Sequence, residues 1–192
     1  MEKIWRIIDI VRWGEEYFRK KGIESPRLTI ELILCEVLKI ERIYIYTNFE
    51  KPLQENELAG IREAVKRKLK REPLQYIFGK ADFFGASLKL DTSVLIPRPE
   101  TELLVIEAAK IISEKNCKTV LDIGTGSGCI VLSLAIKFPS ISFTGIDNSD
   151  SALKTAALNA GLNNIDNVFY KKMDILNEKP EIKYDFIISN PP

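Results

Sequence analysis

The stretch Thr119-Val-Leu-Asp-Ile-Gly-Thr-Gly-Ser-Gly128 decides the fold of this chain. Its first half is a short apolar run typical of a buried strand, and glycines then recur at every second position, where the backbone can turn tightly beside a ligand. An apolar run of helical length follows at 130–136. Strand, glycine turn and helix together place a helix N-terminus at a bound molecule. The stretch therefore predicts an α/β domain with a ligand at the turn.

The glycine spacing narrows the choice of ligand. The dinucleotide-binding fingerprint has Gly or Ala five residues after its first glycine, and here that position is Cys129. The observed spacing, G-x-G-x-G, fits a ligand without a pyrophosphate. The residues that this pattern places beside the ligand are Gly124, Gly126 and Gly128.

An acidic residue ends the second predicted strand. This strand covers 142–146 and runs into Asp147, 23 residues after Gly124. A carboxylate at this place can accept hydrogen bonds from both hydroxyls of a ribose. The alternative is that Asp147 caps the helix that begins near Ser149 or Asp150.

The third predicted strand, 168–172, is followed by Asp174 and Ile175. Ligands of doubly wound sheets lie across the carboxyl ends of the strands, so Asp174 can reach an adenine amino group while Ile175 packs on the ring. The alternative is a solvated turn with one buried isoleucine.

The fourth predicted strand, 184–189, delivers Asn190, Pro191 and Pro192 to the same edge. The prolines stiffen the backbone, and Pro191 keeps Asn190 out of the helical region. The Asn190 side-chain oxygen and the Pro191 carbonyl can then accept two hydrogen bonds from one NH2 group. Such acceptors stabilise the positive charge that grows on a planar nitrogen under attack. The alternative is an ordinary exit of a strand through two prolines.

Three further stretches carry a resemblance to a known family. They are Ser25-Pro-Arg-Leu-Thr-Ile-Glu-Leu-Ile-Leu34, Arg71-Glu-Pro-Leu-Gln-Tyr-Ile-Phe-Gly79 and Leu95-Ile-Pro-Arg-Pro-Glu-Thr-Glu102. With the glycine loop and the Asn-Pro-Pro element, they make the chain similar to class I methyltransferases that use S-adenosylmethionine. Within that class the chain resembles the HemK/PrmC family of peptide chain release factor N5-glutamine methyltransferases.

The resemblance implies a fold and a set of roles. It implies an incomplete Rossmann-like class I methyltransferase sheet at 97–192, a β-hairpin linker at 81–96, and a small helical domain at 1–80 that helps to hold the substrate. The family continues past the second proline with further strands, so we expect a truncated methyltransferase domain. S-adenosylmethionine would be the donor, S-adenosylhomocysteine the product and a release factor glutamine the acceptor. The implied catalytic contacts are Asn190, Pro191 and Pro192. The implied donor contacts are Gly124, Thr125, Gly126, Ser127, Gly128, Asp147, Asp174, Ile175 and Asn190.

Composition excludes several classes of function. The chain carries 28 basic and 27 acidic residues, for a net charge of +1, so we expect no stable binding of nucleic acid. Histidine is absent, which excludes His-based catalytic triads and His metal sites. The three cysteines are scattered and predict reduced thiols in a cytoplasmic protein without a metal centre. Charged residues interrupt the apolar N-terminus, so we expect no membrane span. We also expect a monomer.

Two other functions remain open on the sequence. An adenine N6 methyltransferase acting on DNA or RNA uses the same Asn-Pro-Pro element but usually needs a basic groove. A chain that only binds the donor, or a translation factor, is the second alternative. The basic segment 62–71 fits contact with a release factor or RNA, or simply a solvated helix face.

The stretch 97–102 also has two interpretations. Pro99 followed by two acids is a good helix start and explains much of it without any function. By resemblance the stretch borders the active-site pocket, where Arg98 or Glu100 would line the substrate entrance. Neither residue is assigned a catalytic role.

Overall fold

The computed structural model describes residues 4–191, and the chain divides between Phe78 and Gly79 into two compact units. The described part of the first unit is helical. Its helices are α1 (Ile7–Lys20), α2 (Pro26–Leu38), α3 (Arg42–Thr47), α4 (Glu55–Leu69) and α5 (Leu74–Phe78). Apolar residues three or four positions apart on α1, α2 and α4 meet in one core, which is why these segments fold as amphipathic helices.

Close contacts fix the geometry of the helical unit. A Cβ on Gly14 of α1 would lie 2.4 Å from Ile30 of α2, so glycine is needed where these helices cross. At the end of α4, the Arg71 guanidinium donates to the carbonyls of Gly22 (2.7 Å) and Lys21 (3.2 Å), which follow α1. Within residues 4–191 there is no helix with both the length and the apolar character that a membrane crossing demands.

The second unit contains a hairpin and a parallel sheet. The hairpin strands are β1 (Lys80–Phe83) and β2 (Ala86–Lys89), and the other elements are α6 (Glu100–Lys115), β3 (Thr119–Ile123), α7 (Cys129–Lys137), β4 (Ser142–Asp147), α8 (Asp150–Leu162), β5 (Val168–Lys172) and β6 (Phe186–Ser189). The sheet has the order β5-β4-β3-β6, and all its pairs are parallel. Relative to the first strand of the sheet this order is 3-2-1-4, the arrangement of Rossmann-like folds. The predicted fold class is confirmed.

The hairpin is held by side chains of α8. Asn159 accepts from the Lys89 N–H (2.7 Å) and donates to the Lys89 carbonyl (3.1 Å). One turn further on, Asn163 makes the same pair of bonds to Ser87, at 3.0 and 2.7 Å. Two carboxamides spaced by four residues thus occupy the edge of β2 like a neighbouring strand. The hairpin belongs to the second unit.

The strand limits agree with the sequence pattern except at β6. This strand was expected from residue 184 and begins at Phe186, and the residue before it, Asp185, binds the start of β3 through its side chain. Its carboxylate accepts from the N–H groups of Lys118 (2.7 Å) and Thr119 (2.9 Å), and these bonds hold its pKa below the usual range. Asp185 therefore anchors the start of β6 to the start of β3.

Candidate active site

The strand register brings the predicted site residues to one edge of the sheet. Ile123, the last residue of β3, pairs with Ile146 of β4 on one side and with Ser189 of β6 on the other. The glycine loop and Asn190 begin one residue beyond these pairs. Since neighbouring strands lie about 4.8 Å apart, the loop and Asn190 share one edge.

The glycine loop is open on one side and closed on the other. Gly124, Gly126 and Gly128 have φ values of 72°, 55° and 81°, which glycine adopts without strain. A Cβ on Gly124 would meet nothing within 4 Å, whereas one on Gly128 would lie 3.1 Å from Leu132 and 3.3 Å from Ala156. The first glycine therefore faces free space that a ligand can fill, and the third packs against α7 and α8.

Most of the loop N–H groups are engaged within the protein. Those of Gly124 and Thr125 both donate to the Ile146 carbonyl at 2.9 Å, and that of Gly128 donates to the Thr125 carbonyl at 2.8 Å. A loop that binds phosphate points its N–H groups at the anion. This loop instead offers a ligand its open glycine face, in keeping with a ligand without a pyrophosphate.

Asp147 joins the two loops of the site. One carboxylate oxygen accepts from the Gly126 N–H at 3.0 Å and the other from the Ser149 N–H at 2.9 Å. The N-cap of α8 is Ser149, whose hydroxyl accepts from the Ala152 N–H at 3.3 Å. Each carboxylate oxygen of Asp147 keeps a further lone pair for a donor on a ligand.

Thr125 and Ser127 turn their side chains away from the open face. Both side chains are buried, and the Thr125 hydroxyl donates to Asp122 at 2.8 Å. The Ser127 carbonyl accepts from the Asn159 side chain at 2.9 Å. These two predicted site residues therefore shape the loop from below, and their side chains have no access to a ligand at Gly124.

Asp122 is a buried acid that the sequence pattern did not single out. The Thr125 bond occupies one of its oxygens, and the other has no partner in the described part of the chain. Burial raises the pKa of Asp122 to about 7, against the effect of the Thr125 bond. An acidic residue inside an otherwise apolar strand, directly before a glycine loop, was the available signal.

Tyr170 closes the space beside Asp122. Its ring lies against Gly145, where a Cβ would come within 3.0 Å of it, and its buried hydroxyl has no hydrogen-bond partner among residues 4–191. Burial, followed by the nearby Asp122 charge, raises the pKa of Tyr170. The same two causes raise the pKa of Cys129 to about 12, so its thiol stays protonated. A cluster of buried polar groups thus lies beneath the loop.

The corner after β5 has a local structure of its own. The Asp174 carboxylate accepts from the Leu176 N–H at 3.1 Å and from the Asn177 side chain at 2.7 Å. Ile175 packs on the apolar cluster of Leu121, Ile146 and Met173. Asp174 thus orders a turn at the carboxyl end of β5, and its role toward adenine stays a prediction.

Asn190 is held by a residue that sequence reasoning missed. Its side-chain NH2 donates to the hydroxyl of Thr101, in the first turn of α6, at 3.0 Å. This bond directs the NH2 group to α6 and leaves the carboxamide oxygen free to accept. Pro191 is exposed, and Pro192 lies outside the described residues.

The stretch 97–102, which leads into the first turn of α6, divides into exposed and buried residues. Arg98 and Glu100 are exposed, whereas Thr101 is buried. The acids and prolines of this stretch form a recognisable helix-start pattern in the sequence. Thr101, between the two acids, could not be identified in this way, because no periodic pattern in the sequence marks a buried threonine.

Fold and site together define a Rossmann-like α/β domain with a glycine loop, preceded by a helical unit. Comparison with known proteins extends this result. The family model described as PrmC N-terminal domain matches residues 9–79, and that described as Methyltransferase small domain matches residues 100–192.

Curated relatives match both units. A release factor glutamine methyltransferase of Rhodopirellula baltica is 39% identical over 98% of this chain and 66% of its own length. Proteins of that name from Geobacter sulfurreducens and Chlorobaculum tepidum are 38% and 36% identical, over 99% and 100% of this chain and 66% and 68% of their own lengths. The chain spans about two thirds of the length of these relatives. It belongs to the release factor glutamine methyltransferase family, which confirms the resemblance found in the sequence.

Proposed function

We propose that this protein transfers a methyl group from S-adenosylmethionine to the side-chain amide nitrogen of a glutamine in a peptide chain release factor. Membership of the release factor glutamine methyltransferase family supports this reaction, because the curated relatives bear that name. One structural observation carries the proposal. The register of Ile123 with Ser189 sets the glycine loop and the carboxamide of Asn190 on neighbouring strands at one edge.

The residues of the loop fit the donor. Gly124 borders space in which an added Cβ meets nothing within 4 Å. Asp147, braced by Gly126 and Ser149, keeps lone pairs on both oxygens for ribose hydroxyls. We further assign the corner at Asp174 and Ile175 to the adenine. When bound, S-adenosylmethionine supplies a methyl group activated by a sulfonium.

Asn190 and Pro191 act on the acceptor. An amide nitrogen is a poor nucleophile because its lone pair is delocalised into the carbonyl. The Asn190 side-chain oxygen and the Pro191 carbonyl hold the two hydrogens of the NH2 group and stabilise the charge that develops on nitrogen. The same two acceptors also orient the amide nitrogen toward the methyl group. A reactant that is already aligned loses less entropy on reaching the transition state.

Proton removal needs no basic side chain. The nitrogen becomes acidic as it is alkylated and can lose its proton to water. The chain has no histidine, and the nearby acid with a raised pKa, Asp122, is buried beneath the loop. Asp122 therefore supports the loop and takes no direct part in the proton transfer.

The proposal also covers the location, the oligomeric state and the partners of the enzyme. We propose a cytoplasmic monomer whose helical unit helps to hold the release factor and which forms no stable complex with nucleic acid. A net charge of +1 supports the last point. Adenine N6 methylation remains the second candidate, because the Asn-Pro-Pro element suits an exocyclic amine as well as an amide.

The first test is methyl transfer itself. The protein is incubated with labelled S-adenosylmethionine and, separately, with a release factor and a DNA duplex. We expect label in the release factor, and Asn190→Ala should lower the rate roughly 10²- to 10³-fold, by analogy with the loss of one contact to a developing charge. Asn56→Ala, at an exposed position of α4, is the control and should keep full activity. Label in DNA alone would replace the proposal by the second candidate.

Donor binding is tested by calorimetry with a matched pair of glycines. Gly124 and Gly85 both have positive φ, at 72° and 87°, and a Cβ on either meets nothing within 4 Å. Alanine therefore strains both positions alike. We expect Gly124→Ala to lower the affinity for S-adenosylmethionine at least tenfold and Gly85→Ala to leave it unchanged. Equal affinities for both variants would remove the loop from the donor site, and binding without methylation of any acceptor would favour a donor-binding role.

A further inference from the structure

We infer that Thr101 is a positioning residue, which fixes the carboxamide of Asn190 with its oxygen toward the acceptor. The inference rests on the proposed function and adds a residue to its site. A side-chain amide can turn about its last torsion between two orientations with little intrinsic preference. One orientation presents an oxygen that accepts, and the other an NH2 group that donates. A substrate NH2 group can bind to the first orientation alone.

The structure shows how one orientation is selected. The Asn190 NH2 group donates to the Thr101 hydroxyl at 3.0 Å, across 89 positions of sequence. Because the NH2 group is directed to Thr101, the oxygen points away from α6. The hydroxyl is buried whereas Asn190 is exposed, so the bond connects an exposed group to a fixed point inside the unit.

The fixed point lies on a rigid element. Thr101 is in the first turn of α6, where its own N–H donates to the Arg98 carbonyl at 2.9 Å and the next N–H donates to Pro99 at 3.0 Å. On the other side, the Ser189 hydroxyl donates to the Ile123 carbonyl at 2.9 Å. The strand before Asn190 is therefore bonded to β3, and the side chain of Asn190 is bonded separately to α6. Orientation by two rigid elements is what a catalytic amide requires.

Thr101→Val tests the role, because valine has the shape of threonine without its hydroxyl. We expect kcat for glutamine methylation to fall about 3- to 10-fold, the loss expected for one net hydrogen bond. The KM for S-adenosylmethionine should stay unchanged, and Thr101→Ser should retain most of the activity. Thr155→Val is the matched control, since Thr155 is a buried helix threonine of the same unit whose hydroxyl lies 3.4 Å from Ser93.

A double substitution separates positioning from a general structural effect. If Thr101 acts through Asn190, Thr101→Val should have no further effect on a protein that already carries Asn190→Ala. Independent losses that multiply in the double variant would overturn the inference. An equal loss in Thr101→Val and Thr155→Val would overturn it as well, because it would reflect a general change in packing.

A second measurement does not depend on activity. In 15N-labelled protein, the side-chain NH2 signals of Asn190 are identified by their loss in Asn190→Ala. We expect them to exchange with solvent several-fold faster in Thr101→Val than in the wild type or in Thr101→Ser. Equal exchange in all three proteins would show that the hydroxyl does not hold the amide and would overturn the inference. Faster exchange together with absent methylation would instead place the failure in the proposed function.

Discussion

Among residues 4–191, each unit of the protein buries one carboxylate, and the two carboxylates differ in their surroundings. In the helical unit, Glu31 accepts from Arg27 (2.9 Å) and Tyr46 (2.7 Å) on one oxygen and from Arg42 (2.7 Å) on the other. Burial raises its pKa, but these three bonds outweigh burial, and the pKa is lowered. Glu31 is therefore charged and fully satisfied.

Asp122 in the sheet unit has one bond in place of three. Thr125 occupies one oxygen, the other has no partner within residues 4–191, and burial raises the pKa to about 7. Incomplete satisfaction of a buried group is unfavourable for stability and is found most often near functional sites. Glu31 thus stabilises the helical unit through a complete set of bonds, whereas the glycine loop lies over a buried acid that the protein leaves partly unsatisfied.

The largest effect should follow removal of the satisfied carboxylate. Glu31→Ala removes the acceptor that Arg27, Arg42 and Tyr46 share. We expect a loss of about 3 kcal/mol and no more, because both arginine side chains are about half exposed and can still reach water. Unfolding can be followed by tryptophan fluorescence, because both tryptophans, Trp5 and Trp13, lie in this unit. Glu16→Ala, at an exposed pair with Lys20, should be neutral. If Glu31→Ala lost as little stability as Glu16→Ala, Glu31 would not stabilise the helical unit, and the contrast with Asp122 would be wrong.

The second prediction concerns pH. A carboxyl group whose pKa is higher in the folded state than in the unfolded one takes up protons on folding, so stability falls as pH rises from about 4 to about 7. Between pH 5 and pH 8 we expect the sheet unit to lose about 2 kcal/mol. No histidine titrates in this range, because the chain has none. Glu31, with its lowered pKa, contributes stability that is lost only as pH falls below about 4.5.

Urea unfolding is followed by far-UV circular dichroism, to which both units contribute, and by tryptophan fluorescence in the same samples, which reports the helical unit alone. The part of the circular dichroism transition that the fluorescence does not share is assigned to the sheet unit. Asp122→Asn removes the titrating group and should make the stability of the sheet unit independent of pH between 5 and 8. A slope that persists in this variant would assign the pH dependence to another group.

The smallest effect should come from the single donor to Asp122. Thr125→Val removes the hydroxyl that stabilises the charged carboxylate, so the pKa of Asp122 should rise further. We expect a loss of about 1 kcal/mol at pH 8 and a smaller loss at pH 5, where Asp122 is protonated in the folded state. The same unfolding series measures it. A larger loss at pH 5 than at pH 8 would contradict the assignment of Asp122 as the titrating group.

The sequence predicted the parts of the sheet unit that depend on neighbouring residues. Apolar runs located β3, β4 and β5, and the alternating glycines located the loop, because strand and turn preferences act over a few positions. These local signals also placed Asp147 and Asn190 at one edge.

Contacts between distant residues were beyond prediction. The bond from Asn190 to Thr101 depends on how α6 packs beside β6, and no local pattern encodes that packing. The burial of Asp122, one of whose oxygens has no partner within residues 4–191, also depends on tertiary structure, since Asp122 pairs with Gly145 of β4 and Ile188 of β6. The bonds from the start of β3 to the Asp185 carboxylate depend on the pairing of β6 with β3 in the same way. Side-chain partners of this kind follow from the tertiary structure.

Asn159 also bears on the chemical ageing of the protein. Its NH2 group donates to the carbonyls of Lys89 and Ser127, and so joins the hairpin to the glycine loop. Deamidation would set a carboxylate oxygen against these two carbonyls, where no donor remains. The side chain is fully buried in α8, which keeps it from the ring closure by which asparagine loses its amide. A molecule that deamidates here while unfolded could not remake the same contacts on refolding, so damage at this residue would record time spent unfolded.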